Sequence, residues 1–120
     1  MDSIARQDLI SAKAKHYLFK SKMRAYLEGS TEVPEEILSD FNKCGVGIWI
    51  NTVGKKKFSN NSALMELDII HQRIHAVAKE IIDLKKQGLQ NEAEAKMFDI
   101  NAIGNQIIDK IDDLSLVIQD

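Results

Sequence analysis

The chain has 120 residues, 44% hydrophobic and 28% charged, which is enough for one folded domain with one core, and its net charge of −2 argues against a nucleic-acid partner. No apolar run approaches the roughly 18 residues needed to span a bilayer, and the opening MDSIARQDLI lacks the apolar region of a secretory signal. The single cysteine cannot form an internal disulfide, so the expected compartment is the reducing cytoplasm.

The first predicted element is a helix over about residues 4–28, with Leu9, Ala12, His16, Phe19, Met23 and Tyr26 at alternating steps of three and four. Gly29 stands where a left-handed C-terminal cap belongs. The stretch STEVPEE then offers N-caps and places Pro34, the only proline, in a first turn, so a shorter helix is expected over about 34–43. CGVGIWINTVGKKKFSNN is the least helical part: three glycines and several β-branched residues predict an irregular loop, with one short helical piece around Ile48. GKKKF within it reads as a solvated turn.

Asn60, Asn61 and Ser62 are candidate N-caps for a long helix with the seam Leu64, Leu67, His71, Ile74, Ala78 and Ile81, ending at Gly88. The last helix, about 90–118, carries Ala93, Met97, Ile100, Ile103, Ile107, Ile111, Leu114 and Ile118 on one stripe. Each helix has one apolar face, and those faces can be buried only against each other. The expectation is an all-α, antiparallel four-helix bundle, one domain over 1–120, with one shorter helix.

His16 and His71 interrupt two seams where an aliphatic residue would ordinarily sit, and His75 follows His71 by one helical turn, on the same face. Singly, each reads as a core histidine hydrogen-bonded to a carbonyl. Together with Cys44, all three histidines and the one cysteine fall in or beside one predicted layer. A His₃Cys set of His16, Cys44, His71 and His75 suits tetrahedral zinc, and thiolate with imidazole disfavours magnesium or calcium. Cys44 alone could be a small buried hydrophobe, but a glycine-flanked turn is a poor place for an inert core filler.

HQRIH, residues 71–75, has the spacing of the H-E-x-x-H metalloprotease helix, but Gln72 cannot serve as a general base. Four ligands would also close the coordination position that a catalytic zinc keeps open. Asp68, one turn before His71, has two readings of equal standing: a carboxylate orienting a ligand imidazole, or an exposed helix acid. Trp49 is most simply a core plug beneath the loop.

An early helical histidine, CGVGIW at 44–49 (C-x-x-G-x-W) and LDIIHQRIH at 67–75 (D-x-x-H-x-x-x-H) closely resemble the chemoreceptor zinc-binding domain. The likeness extends over nearly the whole chain, with Gly47, Trp49 and Asp68 in register. It implies a helical zinc-binding bundle that dimerises, with His16, Cys44, His71 and His75 as zinc ligands. It further implies sensing of zinc, or of hypochlorous acid through oxidation of Cys44. Family domains are usually attached to a chemoreceptor signalling hairpin or a diguanylate cyclase domain, and no such module is present in this sequence, so an output partner would act in cis or in trans. The outer helix faces carry no large apolar stripe, and the homodimer rests on the resemblance.

Three functions compete. The first is a cytoplasmic sensory domain of the chemotaxis or cyclic-di-GMP signalling type, without catalysis of its own. The second is a structural module that zinc staples for dimerisation or docking. The third is a small metalloenzyme, which would need one of the four ligands off the metal.

Overall fold

Helix α1, Ser3–Leu27, is built on its buried seam: Leu9, Ala12, His16, Phe19, Met23 and Tyr26 are all inside. It stops at Gly29, whose φ of +106° only glycine adopts cheaply. The Ser30 N–H reaches the Ala25 carbonyl at 3.0 Å and the Gly29 N–H reaches Tyr26 at 3.1 Å. These two bonds are the Schellman pattern that closes a helix C-terminus. The computed structural model describes residues 3–30, 38–58 and 60–117.

Most of the helix expected over 34–43 lies outside the described residues; Leu38 and Ser39 are helical, and residues 41–43 form a turn. That helix therefore ends short of 43. Asp40 is the reason: its Oδ1 accepts from the Asn42 N–H at 2.9 Å and its carbonyl accepts from the Lys43 N–H at 3.1 Å. This local side-chain bond offers the backbone an alternative to the helical ladder.

The short helical piece expected around Ile48 is present as Gly45–Trp49, but the irregular loop expected after it is helical as well. Segment α2 comprises Gly45–Trp49, a π-helical turn over Ile50–Gly54 and a last turn over Lys55–Lys57. The glycines misled because here they serve close packing, not chain reversal. A Cβ on Gly47 would fall 1.8 Å from the Phe41 carbonyl oxygen, and one on Gly54 would fall 2.8 Å from Leu64 Cδ1 and 3.0 Å from the Trp49 ring. Val46, Trp49 and Ile50 are buried, and this tertiary burial overrides the weak helix propensity of β-branched residues. Lys55, Lys56 and Lys57 are exposed on the helical turn.

Helix α3, Ser62–Lys86, takes Asn61 as its N-cap from the three candidates; the side chain accepts from the Ala63 N–H at 2.8 Å and the Leu64 N–H at 3.2 Å. It ends in a second Schellman pattern at Gly88, with φ +78° and Leu89 N–H to Leu84 carbonyl at 3.0 Å. Helix α4, Gln90–Val117, follows at once. The seams of α3 and α4 are buried from end to end, except that Ile118 lies outside the described residues.

The hairpin of α3 and α4 forms the largest interface, and α1 lies against both α4 and α2. Ion pairs fix the register: Glu80 with Lys96 at 2.7 Å and Glu66 with Lys110 join α3 to α4. Lys13 with Asp112 at 2.6 Å and Arg24 with Glu94 at 2.7 Å join α1 to α4. In each set the number rises on one helix as it falls on the other. The fold is all-helical among the described residues, with four helical segments.

Candidate metal centre

Two elements deliver the three-residue group. Cys44 precedes the first residue of α2, and His71 and His75 leave α3 one turn apart. The sulfur and one nitrogen from each imidazole lie within 4.8 Å of one another, all buried. The rings of His71 and His75 meet edge-on with centroids 4.6 Å apart, framed by Phe19 at 4.7 Å from His75 and Phe41 at 6.5 Å from His71.

The tautomers follow from the partners. His75 Nδ1 lies 2.5 Å from the Leu38 carbonyl oxygen, which can only accept, so Nδ1 carries the proton. His75 Nε2 is then an unprotonated lone pair, and it faces His71 Nε2 at 3.2 Å. A tetrahedral zinc with nitrogen ligands at about 2.0–2.1 Å separates two of them by roughly 3.3–3.4 Å, so the spacing of the two Nε2 atoms fits such an ion. The donor set, one thiol and two imidazoles, is also that of zinc. Orientation of a ligand imidazole by a hydrogen bond from its other nitrogen is the arrangement that metal sites need, and here a backbone carbonyl supplies it.

His16 approaches from α1 with its ring centroid 6.0 Å from that of His71, outside the three-residue group. It is 1% exposed, and its Nε2 is buried with no hydrogen-bond partner, as is Nδ1 of His71. Orphaned buried nitrogens are costly, and two of them flank one site.

Burial dominates the electrostatics. It pushes His16 down to about 4, with neighbouring His75 and Lys20 adding to the effect, and His71 down to about 2, helped by His75 and His16. His75 is lowered too by burial, partly offset by the Leu38 carbonyl and Asp40. All three imidazoles are therefore neutral, the form that binds metal. Burial raises the Cys44 thiol. The sulfur makes no capping hydrogen bond by geometry, yet the N–H groups of Val46 and Gly47 and the ammonium groups of Lys22 and Lys15 lie near enough to favour the thiolate.

Asp68 hydrogen-bonds none of the imidazoles. Its Oδ1 accepts from Gln72 Nε2 at 3.2 Å, and its Oδ2 pairs with Lys55 at 3.4 Å. Trp49 is buried, stacked on Phe58 with centroids 6.4 Å apart. Gly47 lies under the site, where its missing side chain leaves room for the Phe41 carbonyl and for His71 Cε1, which a Cβ would meet at 3.2 Å. The orienting carbonyl of Leu38 escaped the sequence reading, since a backbone acceptor leaves no signature in residue type.

The sequence profile described as the chemoreceptor zinc-binding domain matches residues 16–82, more than half of the chain and a span that holds all four candidate ligands. No curated protein and no solved structure matches the chain. No described helix is long and apolar enough to cross a membrane. A buried thiol and two converging, neutral imidazoles thus lie within the matched segment, and the chain belongs to the chemoreceptor zinc-binding domain family.

Proposed function

We infer that this chain is a cytoplasmic regulatory domain without catalysis of its own, which responds to hypochlorous acid or to zinc through Cys44. The observation that carries the reading is the convergence of Cys44 Sγ with His71 and His75 nitrogens in a buried cluster. His16, with its orphaned Nε2 beside that cluster, is the fourth ligand in this reading. Zinc bound there would keep Cys44 as thiolate, the nucleophilic form. Hypochlorous acid then transfers chlorine to the sulfur with release of hydroxide, and water displaces chloride to leave the sulfenic acid, a reversible product. Cys44 leads directly into α2, whose Val46, Trp49 and Ile50 are buried against the bundle, so a change at the sulfur reaches packed side chains within one helical turn.

In this reading the helices complete an antiparallel bundle that pairs with a second copy, as the family resemblance implies. The output is a chemoreceptor signalling or diguanylate cyclase module, in cis or in trans. A purely structural staple is the second reading, favoured by how completely the three histidines are buried.

Zinc per chain, measured before and after stoichiometric hypochlorous acid and again after a thiol reductant, separates the readings. One zinc that leaves on oxidation and rebinds after reduction supports the switch. One zinc that stays supports the staple or a pure metal sensor. No zinc at the outset refutes both.

A further inference from the structure

The two α3 histidines present facing nitrogens to the metal centre, but their far nitrogens are unequally provided for. With the proton of His75 on Nδ1, its Nε2 lone pair faces His71 Nε2 at 3.2 Å. The proton of neutral His71 therefore lies on Nε2 and is donated across that gap. His71 Nδ1 is then unprotonated, and it is buried without a hydrogen-bond partner.

To hold a metal ion, both Nε2 atoms must offer a lone pair. The His71 proton cannot stay where it is. Nε2 gives it up to water and Nδ1 takes one from water, so the ring remains neutral. Nδ1 thereby becomes a buried donor, which bears its full desolvation penalty unless an acceptor meets it. Asp68 is committed elsewhere, with one oxygen on Gln72 and the other on Lys55.

Phe41 brings a carbonyl to the spot. The point where a Gly47 Cβ would stand is 1.8 Å from the Phe41 carbonyl oxygen and 3.2 Å from His71 Cε1, the carbon between the two ring nitrogens. The Phe41 ring also meets that of His71 edge-on, at 87°. The order along the chain repeats the pair already formed: Leu38, three residues before Phe41, serves His75, four residues after His71. Two carbonyls about one turn apart thus run past two imidazoles one turn apart.

We propose that the Phe41 carbonyl accepts from His71 Nδ1–H in the metal-bound protein, as Leu38 does from His75, and that Gly47 is a positioning residue because a Cβ there would crowd both groups. A hydrogen bond at the far nitrogen is what fixes a ligand imidazole in orientation. The proposal rests on the reading of His71 Nε2 as a metal ligand.

The test is heteronuclear NMR of the histidine ring nitrogens and the Phe41 carbonyl carbon in the isotope-labelled full chain, without metal and with saturating zinc. Zinc should move the His71 proton from Nε2 to Nδ1, protect that N–H from exchange and shift the Phe41 carbonyl resonance downfield. Phe41→Leu, which removes the ring and keeps the carbonyl, should preserve the protection. Gly47→Ala should make the Nδ1–H exchange roughly tenfold faster. Zinc on His71 Nε2 with an unmoved Phe41 resonance, or protection lost in Phe41→Leu, overturns the carbonyl's role; unchanged exchange in Gly47→Ala overturns that of Gly47. Zinc that leaves the proton on Nε2, or no bound zinc, is a different result: it refutes the metal reading of His71, and the proposal falls with it.

Discussion

Gly47→Ala puts the largest local strain on the candidate site for the smallest chemical change. The new methyl would stand 1.8 Å from the Phe41 carbonyl oxygen and 2.9 Å from its carbon, and both are backbone atoms that no rotamer change can move. An ordinary carbon–oxygen contact is roughly 3.3 Å, so α2 and the 41–43 turn must part by about 1.5 Å. Cys44 sits between them, and metal–ligand distances tolerate only about ±0.2 Å. Overpacking of this kind belongs at the top of its usual range, about 3 kcal/mol. If that strain falls on the ligand geometry, zinc affinity drops roughly 100-fold. If it falls on the fold, the melting temperature drops by about 12 °C. Zinc competition against a chromophoric chelator and thermal melts with and without zinc read both. The control is Gly45→Ala, whose nearest contacts are all in the Lys15 side chain, Cδ at 2.5 Å and Cβ at 3.3 Å, with no backbone atom among them, and which gains helix propensity; it should cost less than Gly47→Ala in both assays. A Gly47→Ala protein that matches the parent in both assays would refute the close approach on which the argument depends.

Acid should unfold the metal-free protein early. The imidazoles of His16, His71 and His75 are held below their ordinary value in the folded state, so the unfolded chain binds more protons below about pH 6.5. The stability is present above that pH and is lost as pH falls, by about 1.4 kcal/mol each for His16 and His71 between pH 7.5 and 5.5, with His75 acting in the same direction; urea midpoints of the zinc-free protein at the two values check it, and equal midpoints would contradict it. Zinc at about 100 times its dissociation constant should stabilise the protein by about 2.7 kcal/mol, seen as a higher melting temperature that a chelator reverses; no shift would mean the cluster does not hold the metal. Asn61→Ala removes the acceptor for the Ala63 and Leu64 N–H groups and should cost about 1 kcal/mol in urea unfolding, with Asn61→Asp restoring most of it.

The helix seams were legible in the sequence because burial and helical periodicity are the same constraint seen twice. Gly29 and Gly88 announced their caps, since a φ above zero is costly for any other residue. The His71–His75 pair was equally legible, because one turn of helix fixes both side chains to one face. In the segment 44–57 the short helical piece around Ile48 was legible, and the helical continuation over 50–57 was not. Three glycines and a β-branched run signal a break, and only the nearness of Phe41, Leu64 and Trp49 turns those glycines into packing positions inside a helical segment. The Asp40 turn that ends the preceding helix early depends on one local side-chain hydrogen bond against a periodic pattern that would have continued.

Sequence alone thus determined the helical class, the long helices with their caps, the family resemblance and the residue types able to hold zinc, because each follows from the chain's local chemistry and spacing. Tertiary structure decided which of those groups converge. It set His75 Nε2 toward His71 through a carbonyl 37 residues away, drew Asp68 to Gln72 and Lys55, and left His16 Nε2 buried without a partner. Such placements depend on how distant segments pack, and no pattern of nearby residues encodes them.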